Sequence, residues 1–149
     1  MEDFAGAESA RLEDLLALEA AQRTTFAMHT GGFVIECQMK AMISFYHNIH
    51  EWNEPGQRKK DPLHGQPISN PKHGLLAALK KMDSLHRVAK TDPLFLRHLD
   101  TLMHPLGPTG EGFVEIRYHA DSNTTVSTTA WQQSFKYVRG WLEKNKRSL

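Results

Sequence analysis

The stretch FVIECQMKAMISFYHNIHEW, residues 33–52, is the most apolar run in the sequence. Its apolar side chains recur largely at the i, i+3, i+4, i+7 spacing that gathers them on one face of an α-helix. They cover an arc of about 200°, wider than the ~100° stripe of a helix that lies on a surface. We therefore predict a central helix over residues 33–53, covered by other elements from more than one side.

A glycine pair, Gly31 and Gly32, precedes this run. Glycine interrupts helices, and the Phe-Val-Ile that follows favours extended backbone. Two beginnings are therefore open: a helix from residue 33, or a short strand that passes into a helix. The absence of strand alternation over residues 37–42 favours the helix. The glycine pair is then expected to end a first helix that begins at Ser9 and reaches about residue 28.

Three more helices are predicted later in the chain, which brings the number to about five. The pairs Asn70-Pro71 and Asp92-Pro93 each combine an N-cap residue with proline at the first helical position. They predict a helix over residues 71–90 and a shorter one that ends before Pro105. A final helix is predicted from about residue 130 to 145, after a capping-box pattern.

Residues 113–128 are predicted to form a β-hairpin. Apolar and polar residues alternate over residues 114–119, the period of a strand with one buried face. Asp-Ser-Asn at 121–123 supplies turn residues, and residues 124–127 are β-prone enough to return as a second strand. The resulting fold class is α+β, mostly α, with the helices packed around the central one. Because an isolated hairpin is marginal in water, it must lie on the helices or pair with another chain.

The 149 residues are expected to form a single domain, since the composition on the two sides of the long loop does not differ in a way that would mark two domains. Residues 1–8 have no periodicity and are expected to fray. Residues 54–70 are rich in Pro, Gly and basic side chains and are predicted to be a long loop.

Composition restricts the class of protein. Hydrophobic content is 40%, charged content is 23%, and there is one cysteine, Cys37. No apolar run reaches the ~20 residues of a membrane span, and the acidic N-terminus does not resemble a secretory signal. A single cysteine suits a reducing compartment. We therefore predict a cytoplasmic protein that does not bind membranes.

Net charge is +1, but it is unevenly distributed. The first twenty residues hold six acidic side chains and one arginine, whereas basic residues cluster later in the chain. Such asymmetry is compatible with an anionic partner, although solvated surface is the simpler interpretation. Candidate contacts with nucleic acid are the basic residues of the loop and of the helix at 71–90: Arg58, Lys59, Lys60, Lys80 and Arg87.

Candidate metal ligands are His47, His50 and Glu51. The spacing i, i+3, i+4 on a helix presents them on neighbouring parts of one face, and imidazole with carboxylate can bind zinc or supply a general base. The polar edge of an amphipathic helix is the competing explanation. Asp83 and His86 have the carboxylate-x-x-histidine spacing of di-metal bundles, but a second copy of the motif is missing. No phosphate loop or dinucleotide fingerprint occurs, so no cofactor is predicted.

We predict a non-enzymatic protein-interaction module, such as an adaptor, a chaperone-like protein or an assembly subunit. Its contact surface is predicted to be the hairpin and the aromatic C-terminal helix, with Trp131, Tyr137 and Trp141 as contacts, because aromatic residues are enriched at interfaces. The partner would be another protein or a second copy of the chain. One alternative is a nucleic-acid-associated accessory protein. A second alternative is a small metal-dependent or acid/base enzyme that uses the His47, His50 and Glu51 cluster.

Overall fold

The computed structural model describes residues 1–56, 59–107, 110–121 and 128–149, and in these ranges the regular structure is helical. Two short 3₁₀ helices occupy Glu115–Tyr118 and Lys146–Ser148. The α-helices, in chain order, are α1 (Phe4–Ala20), α2 (Thr24–His47), α3 (Leu75–Lys80), α4 (Asp83–Lys90), α5 (Pro93–Met103) and α6 (Thr128–Asn145).

Helix α2 is the centre of the molecule. It contacts α1 along one side, and α3, α5, α6 and the first 3₁₀ helix elsewhere. Val34, Ile35, Met39 and Ile43 are completely buried. The bounds predicted from sequence, residues 33–53, are wrong, because α2 begins at Thr24 and ends at His47. Helix α2 ends because Asn48 adopts a left-handed backbone conformation with φ 52°. Asparagine tolerates this conformation better than most residues.

The glycine pair lies inside α2 and does not end a helix. A Cβ built on Gly31 would lie 2.3 Å from the ring of Trp131, and one on Gly32 would lie 2.1 Å from the ring of Phe113. The two glycines therefore admit aromatic rings against the helix backbone. The chain turns earlier instead, at Gln22, whose φ is 57°. Helix α1 thus ends at Ala20, well before the predicted residue 28.

The β-hairpin predicted for residues 113–128 is wrong, and with it the α+β class. The described part of this region forms turns and the 3₁₀ helix Glu115–Tyr118, and no strand occurs among the described residues. Ile116 is buried, whereas Tyr118 is 78% exposed, so the two do not share a dry face as a strand would require. The carbonyl of Phe113 accepts a hydrogen bond from His29 Nδ1 at 2.8 Å, a side-chain partner in place of a strand. Residues 122–127, the predicted second strand, lie outside the described residues.

The helix predicted over residues 71–90 is divided into α3 and α4, which meet at Lys81 and Met82. The start signal at Asp92 is confirmed: its carboxylate accepts from Phe95 N–H at 3.0 Å, and Pro93 occupies the first turn of α5. The second carboxylate oxygen of Asp92 accepts from Trp141 Nε1 at 3.0 Å, so this residue also attaches α6 to α5.

Residues 48–74 contain no helix or strand in their described part. Ile68 is completely buried, and its carbonyl accepts from Asn53 N–H at 2.7 Å. Asp61 is buried and pairs with Lys81 Nζ at 2.6 Å. Burial by itself raises the pKa of Asp61, but hydrogen bonds from Lys81 and the Leu63 N–H outweigh it and lower that pKa below its usual value. The loop is therefore attached to the helices at both of these points.

At the N-terminus, α1 begins at Phe4, with Asp3 as its N-cap, inside the segment predicted to fray. Within the described ranges, no helix combines the length and apolar character needed to cross a membrane.

Candidate interaction surface

The aromatic residues predicted as contacts lie on α6. Trp131 and Trp141 are only 1% and 8% exposed, and Tyr137 is half-buried. The ring of Trp141 stacks on Phe95 with 3.8 Å between centroids. Both tryptophans therefore pack into the core and offer little area to a partner. The opposite face of α6 is the one that borders a groove.

This groove lies between α1 and α6 and has a volume of about 530 Å³. Leu15 and Phe135 are buried at its base, and Leu16, on the α1 wall, is 60% exposed. We call it the α1–α6 groove. Its lining consists of Leu12, Leu15, Leu16 and Glu19 from α1, with Gln132, Phe135, Lys136, Arg139, Gly140 and Glu143 from α6.

Two polar contacts bridge the groove. Glu8 Oε1 accepts from Arg139 at 2.9 Å, and Glu19 Oε2 accepts from Gln132 Nε2 at 2.9 Å. Residue numbers rise along α1 while they fall along α6 between these bridges, so the two helices run antiparallel. The apolar side chains of the groove lie between the bridges.

The groove lining carries both signs of charge, with Glu19 on the α1 wall and Lys136, Arg139 and Glu143 on the α6 wall. The first twenty residues, which include α1, hold six acidic residues and one arginine, whereas residues 128–149, which include α6, hold five basic residues and one acidic residue. In the described residues, neither Glu13 nor Lys136 has an ion-pair partner, and both are exposed. Glu143 is the acidic exception on α6, and its hydrogen bond from Lys146 lowers its pKa. Charged side chains of both signs thus border an apolar centre.

Gly140 forms part of the α6 wall and is exposed. An ideal Cβ at this position meets no atom within 4 Å, so the groove is open there. Glycine inside a helix costs about 1 kcal/mol relative to alanine. No contact within the described residues explains the missing side chain.

A continuation of the groove, of about 450 Å³, reaches the end of α2 and the C-terminus. The two cavities share Glu143. Phe45, on the rim of the second cavity, is 75% exposed, and Leu149 lies in its lining. The exposed apolar residues Leu16 and Phe45 thus lie in neighbouring cavities, with Glu143 and the Glu8–Arg139 ion pair between them.

The candidate metal ligands are not gathered on one helix face. Helix α2 ends at His47, so His50 and Glu51 lie beyond it, both exposed. His47 is buried, and its Nε2 donates to the carbonyl of Lys81 at 2.7 Å. Burial lowers the pKa of His47. Among the described residues, no group of three or more His, Cys, Asp or Glu could hold a metal ion.

The predicted nucleic-acid contacts are distributed among other interactions. Lys59 Nζ lies 3.5 Å above the ring of Tyr46, and Arg87 pairs with Asp83. Lys60 is exposed and Lys80 is half-buried. Arg58 lies outside the described residues.

Two further groups have a structural explanation. Glu36 and Lys40 form a buried ion pair of 2.7 Å, and His73 Nδ1 lies 3.0 Å from the second Glu36 oxygen. Burial and the Glu36 carboxylate raise the pKa of the adjacent Cys37 thiol, which opposes a role as nucleophile. Asp83 interacts with Arg87 instead of with His86.

Another groove, of about 690 Å³, lies between α1 and α2. Phe26, His29 and Phe33 form its aromatic wall, with ring centroids of successive pairs 5.1 and 5.0 Å apart. His29 Nδ1 is engaged by the carbonyl of Phe113, so its Nε2 is the hydrogen-bonding atom left for this groove. Arg11, on the opposite wall, pairs with Asp14.

Comparison of the chain with models of known families, with curated proteins and with solved structures found no match.

The sequence interpretation missed Leu16, Gly140 and Lys136 as surface residues of one groove. A signal for them was present, since the acidic segment at the start and the basic segment at the end are complementary in charge. That these two segments are neighbours depends on the tertiary fold.

Proposed function

We propose that this protein is a non-enzymatic interaction module whose contact surface is the α1–α6 groove. The observation that carries the proposal is an open groove with an apolar centre, where Leu16 is 60% exposed, bordered by charged side chains of both signs. This pattern corresponds to the anatomy of protein interfaces, in which apolar anchors are surrounded by a charged rim.

The charges define the chemistry of the partner. Its surface must present apolar side chains to the centre of the groove and polar or charged side chains to its rim, where Glu19, Lys136, Arg139 and Glu143 lie. A nucleic acid, whose backbone carries only negative charge, would be repelled by Glu19 and Glu143 in the groove lining. The sequence predicted a contact surface that includes the aromatic residues of the C-terminal helix. The proposal keeps this helix, α6, but places the contact on its polar outer face. The single cysteine of the chain, Cys37, is compatible with a cytoplasmic setting.

Site-specific photo-crosslinking in the native host tests the proposal. Benzoylphenylalanine is placed at Leu16 in one variant and at Leu63 in a matched control, since these leucines are 60% and 62% exposed and only Leu16 lines the groove. We expect a discrete protein adduct from position 16 and none from position 63. Adding Lys136→Glu should reduce the adduct from position 16, because it reverses the charge of an exposed side chain in the groove lining.

Equal adducts from both positions, or an adduct from position 16 that Lys136→Glu does not change, would overturn the proposal. An adduct formed with nucleic acid alone would also overturn it, in favour of the nucleic-acid alternative.

A further inference from the structure

We infer that the groove between α1 and α2 is a binding site for a small neutral aromatic molecule that carries a hydroxyl group. The groove has a volume of about 690 Å³, which lies within the range of small-molecule pockets in proteins. It is separate from the α1–α6 groove, because the two linings share no residue. The inference therefore goes beyond the proposed function and does not depend on it.

His29 supplies the polar anchor of the site. It is only 8% exposed, and its Nδ1 lies 2.8 Å from the carbonyl oxygen of Phe113, which is outside the groove lining. A carbonyl only accepts, so Nδ1 carries a proton, and in the neutral imidazole Nε2 is then a hydrogen-bond acceptor. Within the described residues, Nε2 has no hydrogen-bond partner. A ligand that satisfies this atom offers it an O–H or N–H donor.

Thr30, the next residue of α2, adds a second polar group to the lining. It is 5% exposed, and its hydroxyl makes no hydrogen bond to any residue in the described part of the chain. A hydroxyl group both donates and accepts. A ligand hydroxyl can therefore donate to His29 Nε2 and accept from Thr30 Oγ1, whereas a simple N–H donor would satisfy only the histidine.

The aromatic wall favours a ligand with an aromatic ring. Phe26 and Phe33 flank His29, with centroid distances of 5.1 and 5.0 Å and interplanar angles of 51° and 80°. Rings at these separations attract one another in tilted and edge-to-face arrangements, so a further ring finds suitable partners along this wall. Phe26 is 46% exposed and has ring surface free for such a contact.

The charges of the lining favour a neutral ligand. Arg11 and Asp14 are both on the α1 wall and pair with each other at 2.8 Å. A charged ligand would lose hydration on entering the apolar groove and would find both of these charges already paired.

Titration of the full chain with 2-naphthol, followed by ¹H–¹⁵N NMR, tests the site. We expect saturable shifts of amide signals along the groove, including those of Thr30 and Phe33. In 2-fluoronaphthalene a fluorine atom replaces the hydroxyl and cannot donate. This compound should bind about five- to tenfold more weakly, the effect of one lost hydrogen bond to a buried acceptor. The anion 2-naphthoate should also bind more weakly than 2-naphthol.

Variants of the chain locate the binding. Thr30→Val removes the second polar contact with little change in shape and should weaken 2-naphthol binding by about two- to fivefold. Ala17→Trp should abolish binding, because the indole fills the groove. Ala10→Trp is the matched control: both alanines are exposed on α1, but only Ala17 lines the groove, so the control should bind as the wild type does.

Four results would overturn the inference. They are no saturable shifts with 2-naphthol, equal binding of 2-naphthol and 2-fluoronaphthalene, equal binding by the Ala17→Trp and Ala10→Trp variants, and tighter binding of N-acetyltyrosinamide than of 2-naphthol. The last result would indicate a tyrosine side chain of another protein in place of a small molecule. None of these results affects the crosslink expected from position 16, which lies in the α1–α6 groove.

Discussion

Gly32 of α2 lies against the ring of Phe113, and a Cβ at residue 32 would be 2.1 Å from ring atom Cδ2. This contact seats the segment before the first 3₁₀ helix on the central helix. Phe113 is 3% exposed, and its ring also makes an edge contact with Phe33, with 5.4 Å between centroids. The glycine therefore serves packing between elements and not the local backbone.

Gly32→Ala should lower the free energy of unfolding by about 1–3 kcal/mol, the usual cost of overpacking, despite alanine's higher helix propensity. Thermal and urea denaturation followed by circular dichroism measure the change. Gly140→Ala is the matched control, because it is also a helical glycine but its Cβ meets no atom within 4 Å. It should raise the stability by up to about 1 kcal/mol. A Gly32→Ala protein as stable as Gly140→Ala would contradict the packing role.

The buried pair of Glu36 and Lys40 predicts strongly non-additive effects of mutation. Both side chains are 7% exposed, so removing Lys40 leaves the Glu36 carboxylate in the interior with only the half-exposed His73 beside it. Lys40→Met alone should cost about 3–5 kcal/mol, whereas the double variant Glu36→Leu with Lys40→Met should recover most of that loss. A double-mutant cycle measured by urea denaturation gives the coupling.

The surface pair of Arg87 and Asp83 provides the control, since both side chains are largely exposed. Its coupling should be below about 1 kcal/mol. If the effects at Glu36 and Lys40 were additive, the idea that each charge depends on the other would be excluded.

Stability should decrease as the pH falls from about 7.5 to 5, in part because of His47. Burial lowers the pKa of His47 in the folded protein, so the folded state resists protonation more than the unfolded chain, whose histidines titrate near 6.5. The stabilisation is thus complete above that pH and is lost as the pH falls through the folded pKa. His86 and His98 also have lowered pKa values, caused first by burial, and act in the same direction.

Urea denaturation at a series of pH values measures this dependence. His47→Gln should reduce the slope between pH 7.5 and 5, because the amide does not titrate and its N–H₂ can still donate to the Lys81 carbonyl. Asp61 and Glu143 have lowered pKa values, so their contributions are present above about pH 4 and are lost only in stronger acid. An unchanged slope in His47→Gln would mean that His47 does not contribute.

Some features of the fold follow from local chemistry and are visible in the sequence. The Asp92-Pro93 start was predicted correctly because an N-cap and a first-turn proline act within one helical turn. The final helix, predicted from about residue 130, is α6, since its apolar stripe repeats at helical spacing. The long loop after α2 follows from its prolines and glycines.

Other features were decided only by the tertiary structure. For residues 113–118, the choice between a strand and a 3₁₀ helix depends on the hydrogen-bond partners that the backbone meets in the folded protein. Here the carbonyl of Phe113 pairs with the His29 side chain and not with a neighbouring strand. The glycine pair forms a helix because aromatic rings from distant segments pack against it. Trp131 and Trp141, predicted as partner contacts, lie in the core for the same reason, whereas Tyr137 is half-buried.

The sequence by itself determined that this chain is helix-rich, with an apolar segment at its centre, an acidic start and a basic end, because periodicity and charge are local properties. Only the tertiary structure decided that the acidic α1 and the basic α6 lie side by side with Leu16 and Gly140 between them. The physical reason is that both helices bury their apolar sides against the same central α2, which brings the two ends of the chain together.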